Sequence, residues 1–287
     1  MTFYETGEDK LRATAYDLAI KQIANYSYKF KQLVSVVNSN SWKGYFFREQ
    51  TDILEGESGN AIKGIPRGAD FPNAVLSWEQ VTSRIEKYGL SGSIDHEDII
   101  AGNIDMRNRT IKRIAEGVTK AVDTEISLIV SENWSPSNIQ TGALKGGYWN
   151  QTSAAIIKDL AFMKAQVKAY YDNASNFVCV VNPDTEPHVL HYIYEKGAQA
   201  TTAGEKAFNG QIGNPAGVSI ITADIVPASY ALFMVPKSCA TWQSLMPLET
   251  DVKTERFKGD TITACEYGVT ELHEPKQVVM LQVIQDA

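Results

Sequence analysis

A glycine-rich segment over residues 44–95, followed directly by a long amphipathic helix, limits the possible folds of this chain more than any other feature. The segment holds seven of the 20 glycines and few closely spaced apolar residues, so it cannot bury a hydrophobic core of its own. Its halves, residues 44–53 and 75–94, are rich in strand-forming residues and predict a hairpin. Arms of about 25 residues would reach roughly 80 Å at ~3.3 Å per residue. A hairpin of that length needs the surface of neighbouring subunits, which indicates a chain that assembles with copies of itself.

The composition is that of a folded chain without a membrane span. The chain has 287 residues, of which 44% are hydrophobic, enough for one large domain or two small ones. No apolar run reaches the roughly 18 residues that a membrane-spanning helix needs, so no membrane partner is predicted. The first ten residues are polar and lack the apolar core of a signal peptide. The three cysteines are too widely spaced for a CxxC metal site and are predicted to be buried free thiols in a reducing compartment.

The charge balance argues against one class of protein. The net charge of −7 and the pI of about 5.2 disfavour a protein that grips nucleic acid over a broad face. They do not exclude a shell that encloses nucleic acid, because a shell can enclose a polyanion without binding it tightly.

The segments around the glycine-rich region have clear periodicities. Apolar residues recur every three or four positions over residues 8–37 and predict one helix. This helix is interpreted either as docked on the core of its own subunit or as an arm lying across a neighbour. Strands are predicted over residues 44–52 and 77–88, with a tip region rich in proline and glycine between them.

A short helix over residues 95–101 is predicted to precede the long one over residues 105–132. The long helix would span roughly 40 Å at about 1.5 Å per residue. Its apolar stripe is predicted to contain Ile104, Ile111, Ile114, Val118, Ala121 or Val122, and Ile126 or Ile129. Its opposite face is predicted to be polar and to contain Arg107, Arg109, Lys112, Arg113, Glu116, Lys120 and Asp123.

The second half of the chain alternates helices and strands. Helices are predicted over residues 153–171 and 183–196, and a flexible loop over residues 198–210. The continuous apolar run at 176–181 predicts a strand buried on both faces. Further strands are predicted over residues 218–222, 230–235, 252–257, 261–267 and 277–284.

This succession resembles the major capsid proteins of tailed double-stranded DNA viruses, which have the Hong Kong 97-type shell fold. Residues 44–95 resemble the extended loop of that family, and residues 105–132 resemble its spine helix. The sequences NFVCVVNP at 176–183, IGNPAGVSIIT at 212–222 and PKQVVML at 275–281 resemble later strand segments of the family. The resemblance covers nearly the whole chain and depends on the order and length of its parts.

The resemblance implies an α+β fold with an N-terminal arm, an extended β-hairpin loop, a long spine helix, an axial domain and a peripheral domain. The expected parts are the helical arm (1–43), the extended loop (44–95), the spine helix with a peripheral segment (96–150), the axial domain (151–248), the peripheral hairpin (249–273) and the terminal strand that returns to the axial domain (274–287).

The resemblance also implies a function. It predicts a major capsid protein that self-assembles into hexamers and pentamers of an icosahedral shell enclosing viral double-stranded DNA. Its partners would be its own copies, DNA held on the inner face without sequence specificity, and scaffolding, portal and decoration proteins. It would need no cofactor, and it would be found in the virion after assembly in the host cytoplasm.

The charged and aromatic residues of the extended loop are the candidates for contacts between subunits. They are Arg48, Glu49, Lys63, Arg67, Asp70, Trp78, Arg84 and Glu86. Exposed ion pairs contribute only about 0–1 kcal/mol each, so such pairs would set register more than strength. Some members of the family join a loop lysine to a peripheral-domain asparagine. Residues 249–287 contain no asparagine, so no such cross-link is predicted at Lys63.

Enzyme and ligand-binding functions have weaker support in the sequence. No GxSxG, GxxxxGK[ST] or HExxH motif occurs, and His188 and His191 lack a third ligand at metal spacing. Four aromatic residues would serve as a stacking platform for bases or, as the acidic surroundings favour, as an anchor between subunits; they are Tyr45, Phe46, Phe47 and Trp78. Two alternatives stay open, namely an encapsulin-like nanocompartment shell and a monomeric α/β domain with a concave aromatic site.

Overall fold

The computed structural model describes residues 7–49, 67–68, 78–100, 104–171, 174–197, 214–255 and 257–284. The helices are α1 (Gly7–Ser27), α2 (His96–Ile100), α3 (Ile104–Val130), α4 (Ile156–Lys168) and α5 (Glu186–Gly197). The strands are β1 (Ser35–Asn38), β2 (Lys43–Glu49), β3 (Trp78–Arg84), β4 (Glu86–Asp95), β5 (Gln140–Thr141), β6 (Val178–Val181), β7 (Ser219–Thr222), β8 (Tyr230–Met234), β9 (Ala240–Glu255), β10 (Gly259–Leu272) and β11 (Val278–Gln282). None of the helices in these ranges is long and apolar enough to cross a membrane.

The described strands form two sheets and one separate hairpin. A four-stranded sheet has the order β1-β9-β10-β4, in which β1 lies parallel to β9 and the other neighbours are antiparallel. A five-stranded sheet has the order β5-β11-β8-β6-β7. The hairpin consists of β2 and β3, which pair from Lys43 with Arg84 to Glu49 with Trp78.

The five-stranded sheet is covered on both faces. Successive residues of β8 alternate between two hydrophobic clusters, with Leu232 and Met234 on one side and Ala231 and Phe233 on the other. Strand β6 alternates in the same way and is fully buried, which confirms the strand predicted from the apolar run at 176–181. Helix α4 contributes Leu160 and its neighbours to the second cluster, while α1, α3 and the four-stranded sheet share the first.

Helix α3 confirms the predicted long helix and most of its apolar stripe. The described residues of the buried stripe are Ile111, Ile114, Val118, Val122 and Ile126, whereas Ala121 and Ile129 are exposed. Gly117 allows a close approach, because a Cβ at this position would lie 2.6 Å from Leu90 Cδ2 of β4.

The N-terminal helix is shorter than predicted. It ends at Ser27, and residues 35–38 form β1 instead of continuing the helix to residue 37. Phe30, Leu33 and Val34 are buried in the first hydrophobic cluster, and this burial outweighs the helical periodicity of the segment. The sequence pattern therefore located the helix correctly and its end wrongly.

The prediction of one long hairpin over residues 44–95 is confirmed where residues 78–84 pair with residues 43–49 and is wrong for its last ten residues. Residues 86–95 form β4, which pairs along its whole length with β10 in the four-stranded sheet. Ten residue pairs with an existing sheet satisfy more backbone hydrogen bonds than a free arm would. The described pairing of the hairpin covers seven residues in each strand. The predicted tip, residues 55–60, lies outside the described residues.

Strands β9 and β10 are much longer than the predicted strands over 252–257 and 261–267. They span 16 and 14 residues, and β9 crosses the expected boundary between residues 248 and 249. The register between the two strands shifts on both sides of Tyr267, opposite residues 244–249 of β9, and the alternation of buried and exposed residues in β9 breaks at that point. Helices α4 and α5 differ from their predicted ranges by only a few residues at each end.

Three consecutive residues after α3 adopt the left-handed conformation. Their φ angles are 50° at Glu132, 57° at Asn133 and 57° at Trp134. The Glu132 carboxylate holds the following loop by accepting the backbone N–H groups of Ser137 at 2.6 Å and Asn138 at 2.7 Å. Burial opposes ionisation of this group, but the hydrogen bonds from Asn138 and Ser137 outweigh it and lower the pKa of Glu132 to about 2.

This low pKa predicts how stability depends on pH. The ionised Glu132 contributes stability above the unfolded pKa of about 4.5, and this contribution is lost as the pH falls towards 2. We expect Glu132→Gln to lower the free energy of unfolding at pH 7 by about 1–2 kcal/mol, a value reduced for partial exposure. Urea denaturation at several pH values should show the difference between the two proteins shrinking below pH 4.5. A constant difference down to pH 2.5 would contradict the assignment.

A second prediction concerns Gly268 on β10. A Cβ there would lie 2.2 Å from Cζ2 of the fully buried Trp242 and 2.9 Å from the backbone oxygen of Gln243. We expect Gly268→Ala to lower the free energy of unfolding by about 3 kcal/mol, measured by urea denaturation. Gly117→Ala is the matched control, because Leu90 is exposed and free to turn away. Gly117→Ala should change the free energy of unfolding by no more than about 1 kcal/mol. Equal losses of unfolding free energy at both positions would refute this explanation.

Candidate functional site

The hairpin of β2 and β3 has one face fixed to its own chain. Phe46 is buried, and its ring meets that of His273 edge to face, with 5.1 Å between the ring centroids. The Ser83 hydroxyl donates to Glu271 Oε1 at 2.5 Å. The Arg48 guanidinium donates from Nε to the Leu272 backbone oxygen at 3.4 Å. The base of the hairpin is therefore held against the end of β10.

Glu271 is the centre of this attachment. It is 1% exposed, and Gln243 Nε2 donates to its second oxygen at 2.7 Å. His273 Nε2 lies 3.8 Å from the same oxygen. Burial lowers the pKa of His273, while the charge of Glu271 opposes that shift, so the imidazole is neutral at pH 7. A buried carboxylate with its oxygens hydrogen-bonded in this way fixes the geometry of the groups around it.

The other face of the hairpin carries exposed aromatic rings. Tyr45 is 64% exposed and Phe47 is 51% exposed, and their rings meet edge to face at 5.8 Å. The neighbouring Trp42 is also exposed and contacts the ring of Tyr267. Because alternate residues of a strand point to opposite faces, anchoring Phe46 inward directs Tyr45 and Phe47 outward. An exposed cluster of this kind is typical of a protein–protein contact surface.

The predicted contact residues that the structure describes lie in different places. Arg48 is half-buried, and its guanidinium lies 3.7 Å from the Glu79 carboxylate across the hairpin. Arg67 is exposed in a turn with Gly68, and Arg84 is exposed at the end of β3. Glu86 is exposed at the start of β4. The structure thus brings Arg48 into contact with its own chain, and among the described residues no ion pair joins Arg67, Arg84 and Glu86 to one another.

The remaining predicted residues are described less fully. Glu49 and Trp78 are paired across the hairpin by their backbones, and their side chains lie outside the described part of the structure. Lys63 and Asp70 lie outside the described residues altogether.

A second attachment holds the segment after α1. Glu266 on β10 is fully buried, and its Oε2 accepts the Tyr28 hydroxyl at 2.6 Å. Its Oε1 accepts Lys31 Nζ at 2.5 Å and the indole N–H of Trp242 at 3.2 Å. The Lys31 ammonium also lies 4.4 Å from the centre of the Tyr28 ring. Burial, together with the charge of Glu266, raises the pKa of Tyr28, so the hydroxyl stays a donor.

Asp123 joins the same segment to α3 and corrects the predicted polar face of that helix. The residue is 2% exposed, and its oxygens accept the backbone N–H groups of Lys29 at 2.6 Å and Lys31 at 3.0 Å. Burial raises the pKa of this carboxyl against the opposing effect of these hydrogen bonds. Asp123 is therefore a structural acceptor and not part of the exposed face.

Sequence reasoning missed the two buried glutamates, although Glu266 had a detectable signal. It shares the period-two positions of Ile262 and Ala264, which are buried, so alternation alone would have placed a carboxylate in the core. A carboxylate in the core needs a cation or several donors. Glu271 has no comparable signal, because its donors Ser83 and Gln243 are distant in sequence.

A metal site and an aromatic ligand site find little support in the described residues. No group of three or more His, Cys, Asp and Glu side chains in those ranges is arranged to hold a metal ion. His191 lies 3.8 Å from Glu195, and both side chains are exposed. A groove of about 360 Å³ lies beside His188 and Trp149. Trp149 is buried and donates its indole N–H to Asp159 at 3.0 Å, so this donor is not available to a ligand.

Two of the three cysteines are buried free thiols, as the sequence predicts, and the third is not fully buried. In the described part of the chain all three are free, and Cys179 and Cys239 are buried. Burial raises the pKa of both thiols to about 12, which keeps them protonated and unreactive at pH 7. Cys265 is half-buried.

The buried node at Glu266 predicts strong coupling between Lys31 and Glu266. Lys31→Met would leave the carboxylate buried without its cation, so we expect the free energy of unfolding to fall by about 3 kcal/mol. The double variant, Lys31→Met with Glu266→Gln, removes both charges. Its loss in the free energy of unfolding should be at least 1 kcal/mol smaller than the summed losses of the two single variants. A double-mutant cycle by urea denaturation measures this coupling. Strictly additive losses would show that the two side chains do not interact.

Comparison with known proteins extends these observations. The sequence pattern of a family described as phage capsid protein matches residues 78–280, well over half of the chain. None of the curated proteins is significantly similar in sequence to the chain.

Several solved structures share the fold at low sequence identity. A virus-like particle from Pyrococcus furiosus has a TM-score of 0.63 at 12% identity, over 94% of this chain and 99% of that chain. The capsid of the cyanophage P-SCSP1u has a TM-score of 0.61 at 15% identity, over 90% and 89% of the two chains. A chain of the Mycobacterium phage Che8 has a TM-score of 0.61 at 15% identity, over 88% and 90%. At such identities the similarity is one of fold.

Proposed function

Because the chain belongs to the phage capsid protein family and has the Hong Kong 97-type capsid fold, we propose that its copies form the hexamers and pentamers of an icosahedral shell enclosing double-stranded DNA. The predictions of an α+β capsid fold and of a major capsid shell protein are confirmed. Membership implies that the chain associates with itself in the wall of a virion. The capsomer types, the contents and the contact residues are the proposed parts.

The observation that carries the proposal is the two-sided hairpin. Its inner face is attached to β10 through Phe46, Ser83 and Arg48, while Tyr45 and Phe47 are exposed on the other face. Two aromatic side chains held in water lose the free energy that their burial would provide, about 2–3 kcal/mol each. A second copy of the chain covers them in the assembled shell. Closed symmetry repeats this contact at every subunit, so a weak single contact becomes a stable wall.

The charged residues are assigned supporting roles. Arg48 with Glu79 stiffens the hairpin from within, since both belong to one chain. Arg67, Arg84 and Glu86 are exposed and form ion pairs with neighbouring subunits, as do Lys63, Asp70 and Glu49, with Trp78 as a further apolar contact. Exposed pairs of this kind fix the register of subunits and add about 0–1 kcal/mol each.

The two sheets correspond to the two expected domains in this proposal. The five-stranded sheet with α4 and α5 forms the axial domain, around which copies gather into capsomers. The four-stranded sheet with β9 and β10 forms the peripheral domain and includes the part of β9 before residue 249. The remaining assignments stay as expected from sequence, with residues 1–43 as the arm, the extended loop starting at residue 44, and residues 274–287 returning to the axial domain.

The proposal includes partners other than the chain itself. The shell encloses double-stranded DNA without sequence specificity and assembles in the host cytoplasm, together with scaffolding, portal and decoration proteins. An encapsulin-like compartment is the second candidate, favoured by the similarity to the virus-like particle from Pyrococcus furiosus. The contents of purified particles separate the two, because a virus shell holds DNA and a compartment holds protein cargo.

The hairpin face gives the test of this proposal. We expect Tyr45→Ser with Phe47→Ser to abolish particles seen by negative-stain electron microscopy, while circular dichroism and the thermal midpoint stay close to those of the parent. The matched control exchanges the two residues, Tyr45→Phe with Phe47→Tyr, and keeps the aromatic area. The control should form particles. Normal particles from the serine variant would contradict the proposed contact.

A further inference from the structure

Helix α3 presents a line of cationic side chains on one exposed face. Arg109, Lys112, Arg113 and Lys120 recur at steps of three, four and seven residues, which place side chains above one another on a helix. All four are exposed, whereas Ile111 and the other stripe residues opposite them are buried. From the first cation to the last, the line is roughly 17 Å long at ~1.5 Å per residue.

The carboxylates beside this line neutralise it in part. Lys112 Nζ lies 3.6 Å from Glu116, and Lys120 Nζ lies 2.8 Å from Asp224, with all four side chains at least half exposed. Exposed pairs of this kind are weak and exchange readily with other charges. No ion pair joins Arg109 or Arg113 to a carboxylate within the described ranges.

The electrostatic character of this face is opposite to that of the whole chain. The chain carries a net charge of −7, whereas this face holds four cations against Glu116 and Asp224. A rigid helix sets the spacing of the cations, so little conformational entropy is lost in the backbone when a polyanion binds. The two arginines are one helical turn apart, and each presents a planar fork that matches the oxygens of a phosphate.

We propose that this face of α3 binds the phosphate backbone of nucleic acid without reading its sequence. The inference rests on the proposed function, since a shell that encloses DNA has a use for such a face and a compartment for protein cargo has none. Cations in a line meet the evenly spaced charges of a duplex and release its counterions. The acidic remainder of the chain repels a polyanion, so nucleic acid binds at this face only. Because each phosphate contact releases counterions, the affinity falls steeply with salt concentration.

The test uses the full-length protein in the unassembled fraction from size-exclusion chromatography. Its binding to a fluorescent 20-base-pair duplex of mixed sequence is measured by anisotropy at several NaCl concentrations. About four phosphate contacts predict a slope of log Kobs against log[NaCl] near −3.6. Arg109→Gln with Arg113→Gln removes two contacts, so the slope should become shallower by about 2 and the affinity at low salt should fall at least tenfold.

The matched control makes the same change of charge elsewhere. Lys158→Gln with Lys168→Gln removes two exposed cations from α4. We expect this variant to keep the parent's salt slope within experimental error. Equal losses in both variants would show that net charge, and not the α3 face, governs binding and would overturn the proposal. Parent-like binding by the arginine variant would overturn it as well.

Particle formation by the same samples separates this inference from the proposed function. If the parent forms shells but does not bind the duplex, the inference is wrong while the shell function stands. If the arginine variant binds DNA as the parent does but forms no shells, the face is a contact with a second copy, and the inference is again wrong. If the parent forms no shells even when a scaffolding protein is present, the proposed function fails, whatever the anisotropy shows. Shells that protect several-fold less nucleic acid from nuclease in the arginine variant would support the inference.

Discussion

A buried carboxylate has to be surrounded by donors, and strand β10 carries two such groups that attach the outlying parts of the chain. Glu266 accepts hydrogen bonds from Tyr28, Lys31 and Trp242 and so holds the segment after α1. Glu271, five residues later, accepts hydrogen bonds from Ser83 and Gln243 and so holds the base of the hairpin. Neither segment has a core of its own. The hydrogen bonds to β10, together with the burial of Phe30 and Phe46, fix where each segment lies.

This attachment explains how the hairpin presents an apolar surface. Since Phe46 is drawn inward against His273, strand alternation turns Tyr45 and Phe47 outward. A freely moving loop with the same residues would bury them against its own chain or lose entropy on every contact. A hairpin fixed at its base keeps the aromatic face available to a second copy, and this is the physical requirement of a wall built from one repeated chain.

The sequence predicted the order of elements better than their ends. The apolar run at β6 and the stripe of α3 were strong signals, because each is a local periodicity over buried residues. The end of α1, the membership of β4 in the four-stranded sheet and the length of β9 depend on contacts between distant segments. Local patterns do not contain that information. The donors to Glu271 were missed for the same reason, and Asp123 was assigned to the wrong face since helical spacing alone did not reveal the loop above it.

The most direct measurement is hydroxyl-radical footprinting of the protein before and after assembly, with the oxidation of each aromatic residue read by mass spectrometry. We expect Tyr45 and Phe47 to be oxidised readily in the unassembled subunit and several-fold less in closed particles. The buried Phe46 should be protected in both states. Equal oxidation of Tyr45 and Phe47 in the two states would contradict the claim that this hairpin face joins one subunit to the next.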